Sequence, residues 1–409
     1  MRSVLSVFVL VAVIVGVQAC SGAQKAESDK KDDVVEKETQ DSHGLDYPET
    51  KRQATEEEIH GQTIADPYRW LEKVDDETVK KWMTEQDDLT REYLAELDRH
   101  DPLKERFREL YYVETMSEPT RKGDFVFYSR KPADKEKAIY YWRKLGSEQE
   151  TVLLDPNQMS EDGSIAVKGV FPTHDGTKVA YKLSENNADE STIYVKDTLS
   201  GEDSEIDTIP NAKYAYPSWT PGGEGFYYTY LPKGEDITVD ERPGYAEVRF
   251  HELGTDPSED ELIRPRTGDP KTFQGVWISR DGHWLIHQIS YGWDRDDVYY
   301  KNLQGGVDEW KELAVDTEYN YSVTMWKAHF YIKTDRNARK KQLYKVAATE
   351  ADSFDNWEVL VPEDDAVLEY EQVIGGHLVL TYLDKAANRM EVRTLDGEKV
   401  RDVELPGLG

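Results

Sequence analysis

His174-Asp175-Gly176-Thr177-Lys178-Val179-Ala180-Tyr181 is the stretch on which the fold turns. An Asp-Gly pair makes a tight turn, because aspartate caps its own backbone and glycine accepts positive φ. The residues after it form a short β-branched and aromatic run, which reads as a strand. The same pattern stands earlier at Lys122-Gly123-Asp124-Phe125-Val126-Phe127-Tyr128. It returns at Pro221-Gly222-Gly223 leading into Phe226-Tyr227-Tyr228, and at Arg280-Asp281-Gly282 leading into Trp284. A degenerate copy surrounds Lys327-Ala328-His329-Phe330-Tyr331, and a last one is Gly375-Gly376 leading into Leu378-Val379-Leu380.

Read off these positions, successive turns are roughly 46 to 59 residues apart, close to the blade repeat of about 40 to 50 residues in propellers. Further strands follow the turn strands at Ile193-Tyr194-Val195, Val298-Tyr299-Tyr300, Leu343-Tyr344-Lys345 and Met390-Glu391-Val392. Hairpins repeated in this way are the signature of four-stranded blades. The expected fold is therefore mainly β: a β-propeller over residues 120–409 with six recognisable blades, the sixth ending near Leu405.

Before about Thr120 the periodicity is helical. Val79, Trp82, Gln86, Leu89, Tyr93 and Leu97 fall on one face, with Asp75 or Asp76 as N-cap. Asp101 followed by Pro102 announces a second helix whose face carries Leu103, Phe107 and Leu110. Residues 47–119 thus form a short helical segment whose apolar faces call for a partner surface. Residues 20–46 are charged and lack large apolar side chains, so they read as a tether. Residues 1–19 read as a signal peptide, with Arg2, the apolar run Val4 to Val17, and the small Ala19. Val17-Gln18-Ala19-Cys20 resembles a bacterial lipobox. That resemblance implies lipidation at Cys20, membrane anchoring through the lipid, and export to the cell envelope, facing the periplasm or the cell surface.

The formal net charge of -31 speaks against a nucleic-acid partner, since duplex binding relies on Lys and Arg neutralising phosphates. The single cysteine excludes an internal disulfide and any Cys-rich metal site. His283 and His287 sit four apart on a strand without a carboxylate at ligand spacing, so no metal site is assigned. Asp296-Asp297 and Asp364-Asp365 read as solvated turn acids, and no cofactor is expected.

Asp66-Pro67-Tyr68-Arg69-Trp70-Leu71-Glu72, preceded by His60-Gly61, resembles the DPYxWLE signature of the prolyl oligopeptidase family. Asp155-Pro156-Asn157 running to Asp162-Gly163, and His251-Glu252-Leu253-Gly254-Thr255, agree with the same family in order. The resemblance implies a two-domain serine endopeptidase that cleaves after proline in short peptides. A seven-bladed propeller would gate access to an α/β-hydrolase domain bearing a Ser–His–Asp triad, and the segment 47–119 would pack on that domain. Phe171 and Ile263 lie near propeller positions that face substrate in the family. No G-x-S-x-G nucleophile elbow occurs anywhere in the sequence, so no catalytic residue is assigned. The expectation is an N-terminal and propeller portion, six blades of seven, inactive without its hydrolase partner. The alternative is a non-catalytic propeller lipoprotein that binds peptides or a partner protein.

Overall fold

The computed structural model describes residues 45–234, 236–304 and 309–407. The signal segment 1–19, Cys20 and nearly all of the 20–46 tether lie outside the described residues. The chain divides into two compact units between Glu105 and Arg106.

In the first unit, α1 spans Glu77–Ala95. Its N-cap is Asp76, whose carboxylate accepts the Thr78 N–H at 2.8 Å and satisfies one of the free donors of the first turn. Leu97 lies just past the C-cap, Glu96. Trp82 donates its indole N–H to Thr50 Oγ1 at 2.9 Å, and Gln86 donates to the Pro48 carbonyl at 3.3 Å. Those two bonds tie residues 48–50 along the helix. The Asp66-to-Glu72 signature has a structural task here. Asp66 accepts the Tyr68 N–H at 3.0 Å and pairs with Arg69 at 3.0 Å. Arg69 reaches Glu57 of the hairpin Glu56–Ile59/Gln62–Ala65 at 2.6 Å, and Trp70 meets Trp82 edge-on. The second helix, α2, spans His100–Tyr111, and the division between the units falls inside it. Leu103, Phe107 and Leu110 are exposed.

The second unit is a six-bladed β-propeller. Its antiparallel sheets cover residues 115–154, 166–209, 218–264, 272–314, 321–361 and 367–403, taken below as blades 1 to 6. In blades 2 to 6 the four strands run in simple chain order across the sheet. Blade 1 has a first strand broken in two, Thr115–Met116 and Thr120–Lys122, both pairing with Phe125–Lys131. Pro119 sits in the break, where it is not asked for a ladder hydrogen bond. All six blades share one irregularity, a register shift between the third and fourth strands. A bulge at that point frees the outermost strand from the flat ladder and adds twist.

The repeating turn joins the first strand of each blade to the second. It needs positive φ, supplied by Gly123, Gly176, Gly223 and Gly282 and, in blade 6, by Gly375 and Gly376. Blade 5 places Lys327 there instead at φ 55°, which is why its copy looks degenerate in sequence. The turns of blades 1 and 2 abut backbone to backbone. A Cβ on Gly123 would lie 2.4 Å from the Asp175 carbonyl oxygen, and one on Gly176 would lie 2.8 Å from that of Lys122.

Burial explains why the blades associate. Five buried apolar clusters each bridge two consecutive blades, from 1–2 through to 5–6. The 4–5 seam is aromatic, with Trp284, Tyr300 and Phe330 packed edge to face. The 3–4 seam has a small core of Val248, Val276 and Leu285. Buried polar bonds supplement it: Gln274 donates to the Ala246 carbonyl and Thr229 donates to the Gln274 carbonyl. Across the 2–3 seam, the fully buried His251 stands between Asp207 of blade 2 at 3.0 Å and Asp260 of its own blade at 2.7 Å. Burial alone would push the His251 ring down, but the bonds and charges of Asp260 and Asp207 outweigh it and hold the ring above its ordinary range.

Candidate functional site

Blades 1 to 4 enclose a cavity of about 540 Å³. It is lined chiefly by the first strands and the turns that follow them. The apolar wall is Val170, Phe171, Trp219 and Ile278. Two cross-blade bonds fix it: Trp219 donates its indole N–H to the Phe171 carbonyl at 2.8 Å, and the Ile278 N–H reaches Ser218 Oγ at 3.0 Å. Tyr216 leans edge-on against Phe171 from a largely exposed position.

The loop that carries Tyr216 is held by Lys182. Its buried ammonium donates to the carbonyls of Ala212, Lys213 and Ala215 at 3.2, 3.2 and 2.9 Å. Burial, with a smaller push from the Lys168 charge, lowers Lys182 to about 8. This lysine staples the loop without forming an ion pair among the described residues.

The opposite side of the cavity is polar. Tyr128 donates to the Glu150 carboxylate, which also pairs with Arg130 at 2.7 Å. Burial first, and Glu150 second, push the Tyr128 hydroxyl up to about 12, so it stays a donor at neutral pH. Lys122 and His174 line the wall beside the turns. Lys122 is lowered by burial and by the charge of Arg280; His174 is lowered by burial, then by Lys122 and Arg280. Two of the three cavity serines use their hydroxyls on backbone: Ser117 Oγ accepts the Ser129 N–H and Ser218 Oγ accepts that of Ile278. The arrangement is suited to holding an extended apolar chain with a polar or charged end.

Phe171, one of the two substrate-facing candidates, is on the cavity wall. Ile263, the other, lies in the fourth strand of blade 3 and packs on the 3–4 seam cluster. His287 is buried, with Nε2 2.6 Å from Gln274 Oε1; burial, then the Arg264 charge, lowers it to about 3. His283 is exposed beside Asp281. Asp296 accepts from Ser290 and the Tyr321 N–H, and Asp297 pairs with Arg295, so these two acids hold blade 4 and its junction with blade 5. Asp364 caps the Ala366 N–H and pairs with Arg389. Sequence reasoning passed over Lys122, His174 and Arg280, although each is quoted in a turn repeat. The available signal was a basic residue immediately before the Gly or Asp-Gly in three copies.

The second unit is thus a six-bladed propeller whose blades 1 to 4 border a cavity with an apolar wall and a polar side. Residues 48–409 match the family described as prolyl oligopeptidase, N-terminal β-propeller domain. The chain belongs to that family. The prolyl endopeptidase of Elizabethkingia meningoseptica is 29% identical over 374 residues, which are 90% of this chain and 52% of that protein. The enzyme of Elizabethkingia miricola is 27% identical over 375 residues, with the same shares covered. A solved structure from a structural and mechanistic analysis of two prolyl endopeptidases superposes with a TM-score of 0.85 at 43% identity. It covers 89% of this chain and 54% of that one. The chain spans about half the length of the curated relatives it matches.

Proposed function

We propose that this chain supplies the N-terminal segment and the propeller of a prolyl oligopeptidase-like serine endopeptidase that cleaves after proline in short peptides. The propeller controls which chains reach the catalytic centre, and an α/β-hydrolase domain provides the nucleophile, base and orienting acid. The observation that carries this reading is the cavity wall of Phe171, Trp219 and Ile278, within a family match running from residue 48 to residue 409. The exposed Leu103, Phe107 and Leu110 of α2 provide an apolar surface for docking that domain. With no G-x-S-x-G in its sequence, the chain by itself is expected to leave a proline-type chromogenic peptide intact. Turnover should appear when a relative's hydrolase domain is supplied, and Phe171→Ala should then change KM. Turnover by the purified chain alone, abolished by a serine-reactive inhibitor, overturns the reading. Cys20 is proposed as the lipid-bearing residue that tethers the protein to the cell envelope. Incorporation of a labelled palmitate analogue that is lost in Cys20→Ser tests it.

A further inference from the structure

The turns of blades 1 and 2 bring Lys122 and His174 to the cavity wall, and the turn of blade 4 carries Arg280, an exposed residue whose charge reaches both. Lys122 and His174 are half-buried on its wall, and Ile278, two residues before Arg280, lies on the same wall. Burial first, and the Arg280 charge second, lower Lys122; burial first, and then the charges of Lys122 and Arg280, lower His174. Like charges held together on a half-buried wall are unfavourable without an anion between them.

Among the described residues no carboxylate pairs with Lys122 or Arg280, although the chain carries a net charge of -31. The neighbouring acids serve the turns themselves. Asp175 accepts from Thr173 Oγ1, the Thr177 N–H and Thr177 Oγ1 at 2.6, 3.0 and 2.9 Å; its charge raises His174 only as the smallest contribution. Asp281 accepts from Ser279 Oγ at 2.6 Å and the His283 N–H at 3.2 Å. Glu118, the carboxylate among the cavity-lining residues, forms no ion pair with the cluster. The backbone beneath the cluster is fixed by the close approach of the Lys122 and Asp175 carbonyls to Gly176 and Gly123.

We propose that Lys122, His174 and Arg280 form a carboxylate-binding cluster at the turn end of the cavity, which takes the negatively charged terminus of a short peptide whose body lies on the Phe171 wall. This rests on the peptide-processing reading above and assigns it a charge preference. Charge-assisted hydrogen bonds of this kind contribute about 1.5–3 kcal/mol, or about ten- to a hundredfold in affinity.

The test is calorimetric titration of the full chain with succinyl-Ala-Ala-Pro-Ala bearing a free carboxylate, against its acetylated, amidated counterpart. The charged peptide should bind at least about tenfold more tightly at low salt. That preference should collapse in Lys122→Gln/Arg280→Gln and survive in Lys122→Arg, with melting temperatures confirming that each variant folds. Inorganic phosphate should compete with the charged peptide and leave the neutral one bound. Equal affinity for the two peptides, or a charge preference that survives the double substitution, overturns the proposal. A neutral peptide that binds and loses affinity in Phe171→Ala would leave the peptide reading standing while the cluster's role falls.

Discussion

The second strands of blades 5 and 6 occupy the same place in their blades but are buried differently. In His329–Thr334 five consecutive residues, Phe330 to Thr334, are buried. Phe330 and Ile332 face blade 4 while Tyr331 faces blade 6. In His377–Asp384 only Leu378, Leu380 and Tyr382 are buried, and all three face blade 5. Val379 and Thr381, paired with Val392 and Met390 on the other face, stay partly open. Among the described residues, none of the five apolar clusters draws on both blade 6 and blade 1. A propeller strand is thus a two-faced element whose stability depends on having two neighbours, and alternation in sequence reports only how many of those neighbours are apolar.

Substitutions can break this contrast. Phe330→Ala removes a fully buried ring in contact with Trp284 and Tyr300, and should cost about 3–5 kcal/mol in urea unfolding. A cost below about 1 kcal/mol would show that the seam collapses around the cavity. Gly176→Ala tests whether neighbours are joined through their turns as well as their cores. It combines positive φ with a Cβ 2.8 Å from the Lys122 carbonyl, and should cost about 1–3 kcal/mol. Val379→Ser on the half-open face should change stability by about 0.5 kcal/mol or less. A larger loss would mean that this face is covered in solution.

The polar link across the 2–3 seam gives a pH test of the same idea. His251 is raised in the folded protein, so its stabilising contribution is complete below its ordinary value of 6.5. That contribution is lost as pH rises through the elevated folded value. Denaturation midpoints should therefore fall from mildly acidic to alkaline pH, and His251→Gln should flatten that slope. An unchanged slope in the variant would place the titration elsewhere.

Much of this was legible because it is local. Turn glycines, alternating aromatics and the Asp76 cap act within a few residues, so periodicity exposed the six blades and α1. Three features were not legible, because each depends on a neighbour distant in sequence. The bulge before each fourth strand leaves no residue-type mark. Ile263 packs on the seam cluster of Val248, Val276 and Leu285, which only the assembled blades bring together. Lys122, His174 and Arg280 are spread over more than 150 residues and become one cluster only when the turns stack.

The glycines at positive φ also divide the molecule for anyone who wishes to engineer it. At Gly123 and Gly176, between the first and second strands of blades 1 and 2, a methyl group meets backbone. At Gly146, Gly201 and Gly254, between the third and fourth strands of blades 1 to 3, a methyl group meets nothing within 4 Å. The adjoining bulge already uncouples the outermost strand there. A peptide tag or fluorescent reporter spliced beside Gly201 should leave the cavity of blades 1 to 4 untouched, whereas the same splice beside Gly176 should open it.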